Sequence, residues 1–218
     1  DFAPLAQLDD LVFGGWDPIS ANALEAATTC GVLDERDLAS ISSEMEGIVA
    51  MDAVFDQKWV SRLDGQRVKQ LSSKWDQALA LMEDIERFRV ENECDRLVMV
   101  WCGSTEAYQQ ASAVHETVAA FEQGLKDNDD NISPSQIYVY AALQSGVPLA
   151  NGAPNLSTDL PCMIELSKTL GVPIAGKDFK TGQTLMKTMI APGLKARMLG
   201  LRGWYSTNIL GNRDGEVL

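Results

Sequence analysis

The segment KDFKTGQT at 177–184 carries the strongest chemical signal in the sequence. Thr181, a glycine and Thr184 form a polar turn that opens a predicted helix. Free backbone N–H groups and the positive end of the helix dipole can hold a phosphate at such a turn. Lys180 can add positive charge. The same residues also fit a threonine-capped helix with solvated lysines. Their spacing is not that of a Walker P-loop.

Three other segments combine glycine with polar side chains where a predicted strand ends. They are GGWD at 14–17, CGSTE at 102–106 and NGAPN at 151–155. Glycine permits close approach of the backbone to a ligand, and Asp17 could accept hydrogen bonds from ribose hydroxyls. Each segment can also be an ordinary turn or a helix cap. The GxGxxG dinucleotide fingerprint does not occur in the sequence.

These four segments need a scaffold, and the hydrophobic pattern predicts one. Strands alternate with helices of about ten to fifteen residues, which indicates a doubly wound parallel, Rossmann-like α/β sheet. Ligands lie at the carboxyl ends of the strands in such sheets, so we expect the four segments along one edge. The predicted strands cover 8–16, 96–101, 147–151, 172–176 and 198–210, and the predicted helices cover 21–29, 34–48, 71–93, 105–124, 134–145, 159–170 and 185–195.

Composition excludes several classes of protein. The net charge is −13, with 18 Lys+Arg against 31 Asp+Glu, and no basic stripe suits a nucleic-acid partner. The sequence has no run of about 18 apolar residues, so a membrane partner is not expected. Four separated cysteines and one histidine make a metal centre or a disulfide framework unexpected, so a reduced, cytoplasmic location is predicted. Any phosphate site must therefore be built from local N–H groups and a few cations.

The single histidine, His115, falls within the predicted helix 105–124. It lacks a Ser or Cys at a spacing typical of nucleophilic catalysis. We therefore interpret it as a hydrogen-bonded core or surface histidine rather than a catalytic one.

Five blocks of the sequence together resemble the inositol-1-phosphate synthase family, in the same order and at comparable separations. They are LVFGGWDPISANALEAA, DRLVMVWCGSTEAY, SPSQIYVYAALQSGVPLANGAPN, GKDFKTGQTLMKT and YSTNILGNRDG, and they span nearly the whole chain. Members of that family oxidise carbon 5 of glucose 6-phosphate with NAD, enolise the product, close the ring by an aldol step and return the hydride. The resemblance thus implies an NAD-dependent isomerase of inositol and phospholipid biosynthesis, with glucose 6-phosphate as substrate.

The resemblance also implies a cofactor site. Asp17 and Arg67 would touch the adenosine half of NAD, and Ser104 and Thr105 would line the same crevice. Ala153 stands where the family commonly has serine, so it would offer only its backbone. The complete implied set of cofactor residues is Asp17, Arg67, Ser104, Thr105, Gly152, Ala153, Asp178, Asn212 and Asp214.

A substrate site is implied in the same way. The phosphate turn would consist of Thr181, Gly182, Gln183 and Thr184, which agrees with the chemistry of the residues themselves. Arg213 replaces the second asparagine of the eukaryotic pattern. The further substrate residues would be Asn208 and Leu210, and the catalytic residues Lys180, Asn208 and Asp214.

Two parts of the family pattern are expected outside this sequence, in a longer homotetrameric parent. The strand and GxGxxG turn would precede Asp1, and the clustered catalytic lysines would follow Leu218. Residues 1–180 would then be the NAD-binding Rossmann-like domain without its first βαβ unit, and 181–218 the start of an α+β catalytic and tetramerisation domain. The piece alone is expected to be inactive. Another NAD-dependent sugar-phosphate oxidoreductase, or a non-catalytic nucleotide-binding paralogue, are the alternatives.

Overall fold

A three-stranded parallel sheet lies at the centre of the computed structural model, which describes residues 5–179 and 182–205, with only the backbone for 182–185. The strands are β1 (Met99–Trp101), β2 (Leu149–Asn151) and β3 (Ile174–Gly176), in the order β1-β2-β3. Met99 lies opposite Leu149, which in turn lies opposite Ile174. This arrangement confirms the predicted α/β class with a parallel sheet.

Seven α-helices accompany the sheet in the described part of the chain. Most begin at a polar cap; the side chain of Ser73, for example, accepts a hydrogen bond from the backbone N–H of Asp76 at 3.0 Å. No described helix has the length and hydrophobicity needed to cross a membrane. The helices are α1 (Ala23–Cys30), α2 (Glu35–Glu46), α3 (Lys74–Glu91), α4 (Val118–Lys126), α5 (Pro134–Gln144), α6 (Pro161–Leu170) and α7 (Gly182–Ala196).

Helix α5 forms the middle of the core. Every residue from Pro134 to Leu143 is buried, as expected for a helix that is apolar on nearly all faces. It packs against α3, α6 and β2. The hydroxyl of Tyr138 accepts a hydrogen bond from the backbone N–H of Val54 at 2.9 Å, which ties the amino-terminal part of the chain to this helix.

A carboxylate from a distant loop meets the amino-terminal end of α5. Glu106 accepts hydrogen bonds from the backbone N–H of Ser135 at 2.7 Å and from its hydroxyl at 2.6 Å. The backbone N–H of Glu106 donates to the side chain of Asn155 at 3.0 Å. Burial raises the pKa of Glu106 even though the hydrogen bonds from Ser135 lower it. Glu106 therefore joins the loops after β1 and β2 to the central helix.

Most predicted elements are confirmed, with ends shifted by a few residues. Helices predicted at 21–29, 34–48, 71–93, 134–145, 159–170 and 185–195 correspond to α1, α2, α3, α5, α6 and α7. The three strands predicted at 96–101, 147–151 and 172–176 are present as β1, β2 and β3, each three residues long.

The strand predicted at 8–16 is wrong. Leu8–Asp10 forms a 3₁₀ turn, and Trp16 makes only a single bridge to Met51. Leu8 and Phe13 are each 83% exposed, so this apolar run is not buried against a neighbouring strand among the described residues. A strand predicted at 198–210 is also absent from 198–205, while 206–210 lies outside the described residues.

The helix predicted at 105–124 is wrong over its first half. α4 begins only at Val118, where Thr117 caps it. The preceding residues are engaged in tertiary contacts that a helix would break. The backbone N–H of Ala107 donates to the carbonyl of Trp59 at 2.8 Å, in addition to the Glu106 contacts.

The raised pKa of Glu106 predicts a pH-dependent stability. The pKa of Glu106 in the folded protein lies above its ordinary value. The contribution of Glu106 to the free energy of unfolding is therefore fully present below the ordinary pKa, and it is lost as the pH rises through the pKa of the folded state. Glu106→Gln keeps one oxygen as acceptor for the Ser135 N–H, while its amide nitrogen donates to the Ser135 hydroxyl. Because glutamine does not ionise, the variant should lack this pH-dependent loss, which amounts to about 1.4 kcal/mol for each unit between the two pKa values. Urea unfolding measured over a pH series would show it.

The matched control is Glu44→Gln on the exposed side of α2. It should reproduce the pH profile of the unaltered protein. An unchanged profile in Glu106→Gln would show that Glu106 folds with its ordinary pKa.

Candidate functional site

The carboxyl ends of the three strands meet at Gly152. Its backbone N–H donates to the carbonyl of Trp101 at 2.9 Å, and its carbonyl accepts from the N–H of Phe179 at 3.1 Å. The N–H of Asp178 donates to the carbonyl of Asn151 at 3.1 Å. A Cβ atom at position 152 would lie 2.7 Å from the Trp101 carbonyl oxygen and 2.4 Å from the Phe179 ring. The loops after β1, β2 and β3 thus approach one another as closely as their backbones allow.

Asn151 shapes the loop that follows β2. Its side chain is fully buried, and its amide nitrogen donates to the carbonyl of Asn155 at 3.0 Å and to the hydroxyl of Ser157 at 2.9 Å. The side-chain oxygen accepts from the N–H of Ala153 at 2.9 Å. The backbone N–H of Ala153 is therefore used within this loop.

The GGWD segment lies beside β1, although it does not follow a strand. The Trp16 ring meets the Tyr138 ring edge-on, with centroids 5.3 Å apart. Tyr138 in turn contacts Trp101 at the end of β1, with centroids 5.2 Å apart. The indole N–H of Trp16 donates to Asp84 at 2.8 Å. These contacts connect the segment, through Tyr138, to the end of β1.

Asp17 and Arg67 lie on adjoining segments. The backbone N–H of Arg67 donates to the carbonyl of Pro18 at 2.9 Å. Asp17 is exposed, and its carboxylate accepts from the N–H of Ile19 at 2.7 Å in a local turn. The Arg67 guanidinium forms an ion pair with Asp52 at 2.9 Å. The structure thus brings these two predicted adenosine-side residues together.

A groove of about 750 Å³ runs between GGWD and β1. Residues 14–19 form one wall and residues 97–104 another, so Asp17 and Ser104 share it. Thr105 instead lines a separate cavity of about 140 Å³ together with Trp59, Glu106 and Asn155. The prediction that Ser104 and Thr105 line one crevice therefore does not match the placement of Thr105 in this structure.

Three buried side-chain donors lack an acceptor among the described residues. They are the indole N–H groups of Trp59 and Trp101 and the amide nitrogen of Asn155. Trp101 lines the groove, and the other two line the smaller cavity. A buried donor without an acceptor costs about 1–3 kcal/mol, so these three groups mark places in the walls of the two cavities where an acceptor would be stabilising.

Several predicted site residues cannot be placed. Lys180 and Thr181 lie outside the described residues, as do Asn208, Leu210, Asn212 and Asp214. Gly182, Gln183 and Thr184 occupy the first turn of α7, whose backbone alone is described at these positions. Asp178 is half-buried with φ 64°, in the left-handed region, directly before this stretch.

His115 is a hydrogen-bonded core residue, as interpreted from the sequence. It is buried; Nδ1 accepts from the N–H of Ser112 at 3.0 Å and Nε2 lies 3.1 Å from the Gln136 oxygen. Residues 5–179 and 182–205 contain no group of three or more His, Cys, Asp or Glu side chains able to hold a metal ion.

Sequence reasoning missed Asp84, Glu106 and Asn155. For Asp84 a signal was present: it interrupts the buried face of α3 formed by Ala78, Leu81 and Ile85. A carboxylate in such an apolar stripe indicates a buried partner. Glu106 and Asn155 lie in loops, where periodicity gives no such signal.

Comparison with known proteins gives a consistent result. A family model for an NAD-binding domain, described as myo-inositol-1-phosphate synthase, matches residues 1–210. The match confirms NAD as the predicted cofactor. Inositol-3-phosphate synthase 1 of Bacteroides thetaiotaomicron is 51% identical over all of this chain, and the enzyme of Citrus paradisi is 32% identical over 99% of it. The chain spans only 51% and 43% of those two proteins.

Solved structures agree. The crystal structure of inositol-3-phosphate synthase from Caenorhabditis elegans superposes with a TM-score of 0.84 at 26% identity, covering 89% of this chain and 39% of that one. A myo-inositol-1-phosphate synthase-related protein from Thermotoga maritima shares the fold, with a TM-score of 0.59 at 17% identity over 85% of this chain and 47% of that one. By sequence and by fold, the chain belongs to the myo-inositol-1-phosphate synthase family.

Proposed function

We propose that the complete polypeptide containing this chain converts glucose 6-phosphate to myo-inositol 1-phosphate, with NAD reduced and reoxidised in each turnover. The observation that carries this proposal is the meeting of the loops after β1, β2 and β3 at Gly152. Loops at the carboxyl ends of parallel strands form the usual dinucleotide crevice. The family match over residues 1–210 supplies the reaction class.

The described residues suit NAD in three respects. Gly103 and Ser104 line the groove opposite Asp17 without a bulky side chain, and the Trp101 indole N–H at the end of β1 has no acceptor among the described residues. Asp17 offers carboxylate oxygens to ribose hydroxyls from an exposed position next to Arg67. When bound, NAD would accept a hydride from the sugar and later return it. Our proposal assigns Asp17 and Arg67 to the adenosine half, with Ser104 in the same groove and Gly152, Ala153 and Asp178 at the adjoining strand ends. Thr105, which lines the smaller cavity, is left out of the assignment.

We assign the sugar phosphate to the start of α7. That helix begins at Gly182, so its first N–H groups are not used within the helix and can bind an anion. Thr181, Gln183 and Thr184 would complete the turn. This local site is compatible with a net charge of −13, because the field of distant charges is screened beyond about 8–10 Å. Further substrate, cofactor and catalytic contacts would come from Lys180, Asn208, Leu210, Asn212 and Asp214.

The proposal also covers the domain organisation, the oligomeric state and the cellular location of the complete polypeptide. Residues 1–180 would belong to the NAD-binding domain and 181–218 to the start of the catalytic and tetramerisation domain of a homotetramer. All four cysteines are free in the structure, which suits a reducing cytoplasm. The product would feed inositol and phospholipid biosynthesis.

The most direct test incubates the complete polypeptide with glucose 6-phosphate and a catalytic amount of NAD. We expect inositol phosphate to accumulate without net formation of NADH, since the same hydride is returned. The 218-residue chain alone should show no turnover. Reduction of all the added NAD to NADH, with no inositol phosphate, would instead indicate a sugar-phosphate oxidoreductase. NAD binding without turnover would indicate a non-catalytic nucleotide-binding paralogue.

The phosphate assignment predicts an effect of Gly182→Val in the complete polypeptide. The added side chain blocks close approach to the backbone, so the KM for glucose 6-phosphate should rise while the Kd for NAD changes little. Thr181→Ala should cost less, on the order of 1 kcal/mol for one neutral hydrogen bond. Steady-state kinetics at saturating NAD measures both. An unchanged KM in Gly182→Val would mean that the turn is only a helix cap.

A further inference from the structure

A buried carboxylate on α3 joins the two segments that carry Asp17 and Arg67. Asp84 is 2% exposed. One of its oxygens accepts from the indole N–H of Trp16 at 2.8 Å and from the ammonium of Lys69 at 2.8 Å. The other accepts from Arg87 of the same helix at 2.5 Å. Trp16 directly precedes Asp17, and Lys69 follows Arg67 by two residues.

The two segments are also paired through a third that lies between them. The backbone N–H of Met51 donates to the carbonyl of Gly15 at 2.8 Å, and the carbonyl of Met51 accepts from the backbone N–H of Asp17 at 3.2 Å. On the other side, the backbone N–H of Ala53 donates to the backbone carbonyl of Arg67 at 2.9 Å. Residues 15–17, 51–53 and 67–69 therefore form a narrow ribbon, and Asp84 binds a side chain from each of its two outer segments.

The carboxylate remains charged in this setting. Burial alone would raise the pKa of Asp84, but the hydrogen bonds from Lys69, Trp16 and Arg87 outweigh it, and the pKa lies below its ordinary value. An ionised, buried acceptor binds its donors more strongly than a neutral one. Its partners Trp16 and Lys69 are thus held in place by a charge rather than by packing alone.

From this geometry we propose that Asp84 is a positioning residue for the cofactor. By holding Trp16 and Lys69, it fixes the spacing of Asp17 and Arg67 and thereby sets the affinity for the adenosine half of NAD. Asp84 does not itself touch the cofactor. The inference rests on the proposed function, because it requires NAD to bind beside Asp17 and Arg67.

The test measures the Kd for NAD by calorimetry in the complete polypeptide. Asp84→Asn, which keeps the shape and removes the charge, should raise the Kd about tenfold, equivalent to about 1.4 kcal/mol. Trp16→Phe and Lys69→Met, each removing one donor from a cofactor-side segment, should raise it several-fold. The loss should appear in the Kd and in the KM for NAD and be smaller in kcat, since the contact that is lost serves cofactor binding.

Arg89→Met is the matched control. Arg89 forms an ion pair with Glu86 of the same helix, and both side chains are more than half exposed (51% and 57%). Its loss should leave the Kd for NAD unchanged. If Asp84→Asn fails to fold by circular dichroism, Trp16→Phe and Lys69→Met decide the question.

The outcomes separate the two proposals. An unaltered protein that does not bind NAD would refute the proposed function and, with it, this role of Asp84. If the unaltered protein binds NAD and Trp16→Phe and Lys69→Met bind it equally well, the positioning role is wrong while the function stands. An Arg89→Met effect as large as that of Lys69→Met would also overturn it, because the loss of any cation would then explain both.

Discussion

The closeness of three backbones at Gly152 is the constraint on which the site depends. Gly152 binds the end of β1 through its N–H and the residues after β3 through its carbonyl, leaving no space for a Cβ atom. On the neighbouring strand, Gly176 has φ 128° and a Cβ there would lie 2.7 Å from the carbonyl oxygen of Asn151. Glycine at these two positions therefore allows the three strand ends to converge into one edge.

Two buried carboxylates then fix the loops around that edge, by opposite electrostatic means. Burial dominates around Glu106 and raises its pKa. Its carboxylate caps the start of α5 by accepting from Ser135, and its backbone N–H donates to Asn155. Asp84 meets two cations, and its pKa is lowered. The donors around Glu106 are uncharged, whereas Asp84 lies at a junction where Lys69 and Arg87 bring positive charge.

The sequence predicts best where a pattern is long or chemically unambiguous. The helical spacing of α3 and the proline-initiated, apolar α5 are confirmed, and the short strands lie inside the predicted apolar runs. The glycine loops after β1 and β2 meet because parallel strands share one carboxyl edge, a consequence of fold class alone.

The predictions that were wrong concern residues whose conformation depends on contacts with distant parts of the chain. An apolar run such as 8–16 is buried as a strand only if a partner strand lies beside it, and periodicity cannot report the partner. Residues 105–112 avoid a helix because Glu106 and Ala107 bind Ser135 and Trp59, far away in sequence. The different cavities of Ser104 and Thr105 follow from that same extended path, so neighbouring residues in a motif need not share a site.

The claim that a backbone approach at Gly152 organises the cofactor site is tested most directly by Gly152→Ala in the complete polypeptide, with Gly200→Ala as control because nothing lies within 4 Å of a Cβ there. Urea unfolding and NAD calorimetry are measured on both. We predict that Gly152→Ala lowers the free energy of unfolding by about 1–3 kcal/mol and weakens NAD binding, since the added methyl group pushes the ends of β1 and β2 apart. Gly200→Ala should change neither. Unaltered stability and NAD affinity in Gly152→Ala would contradict the account.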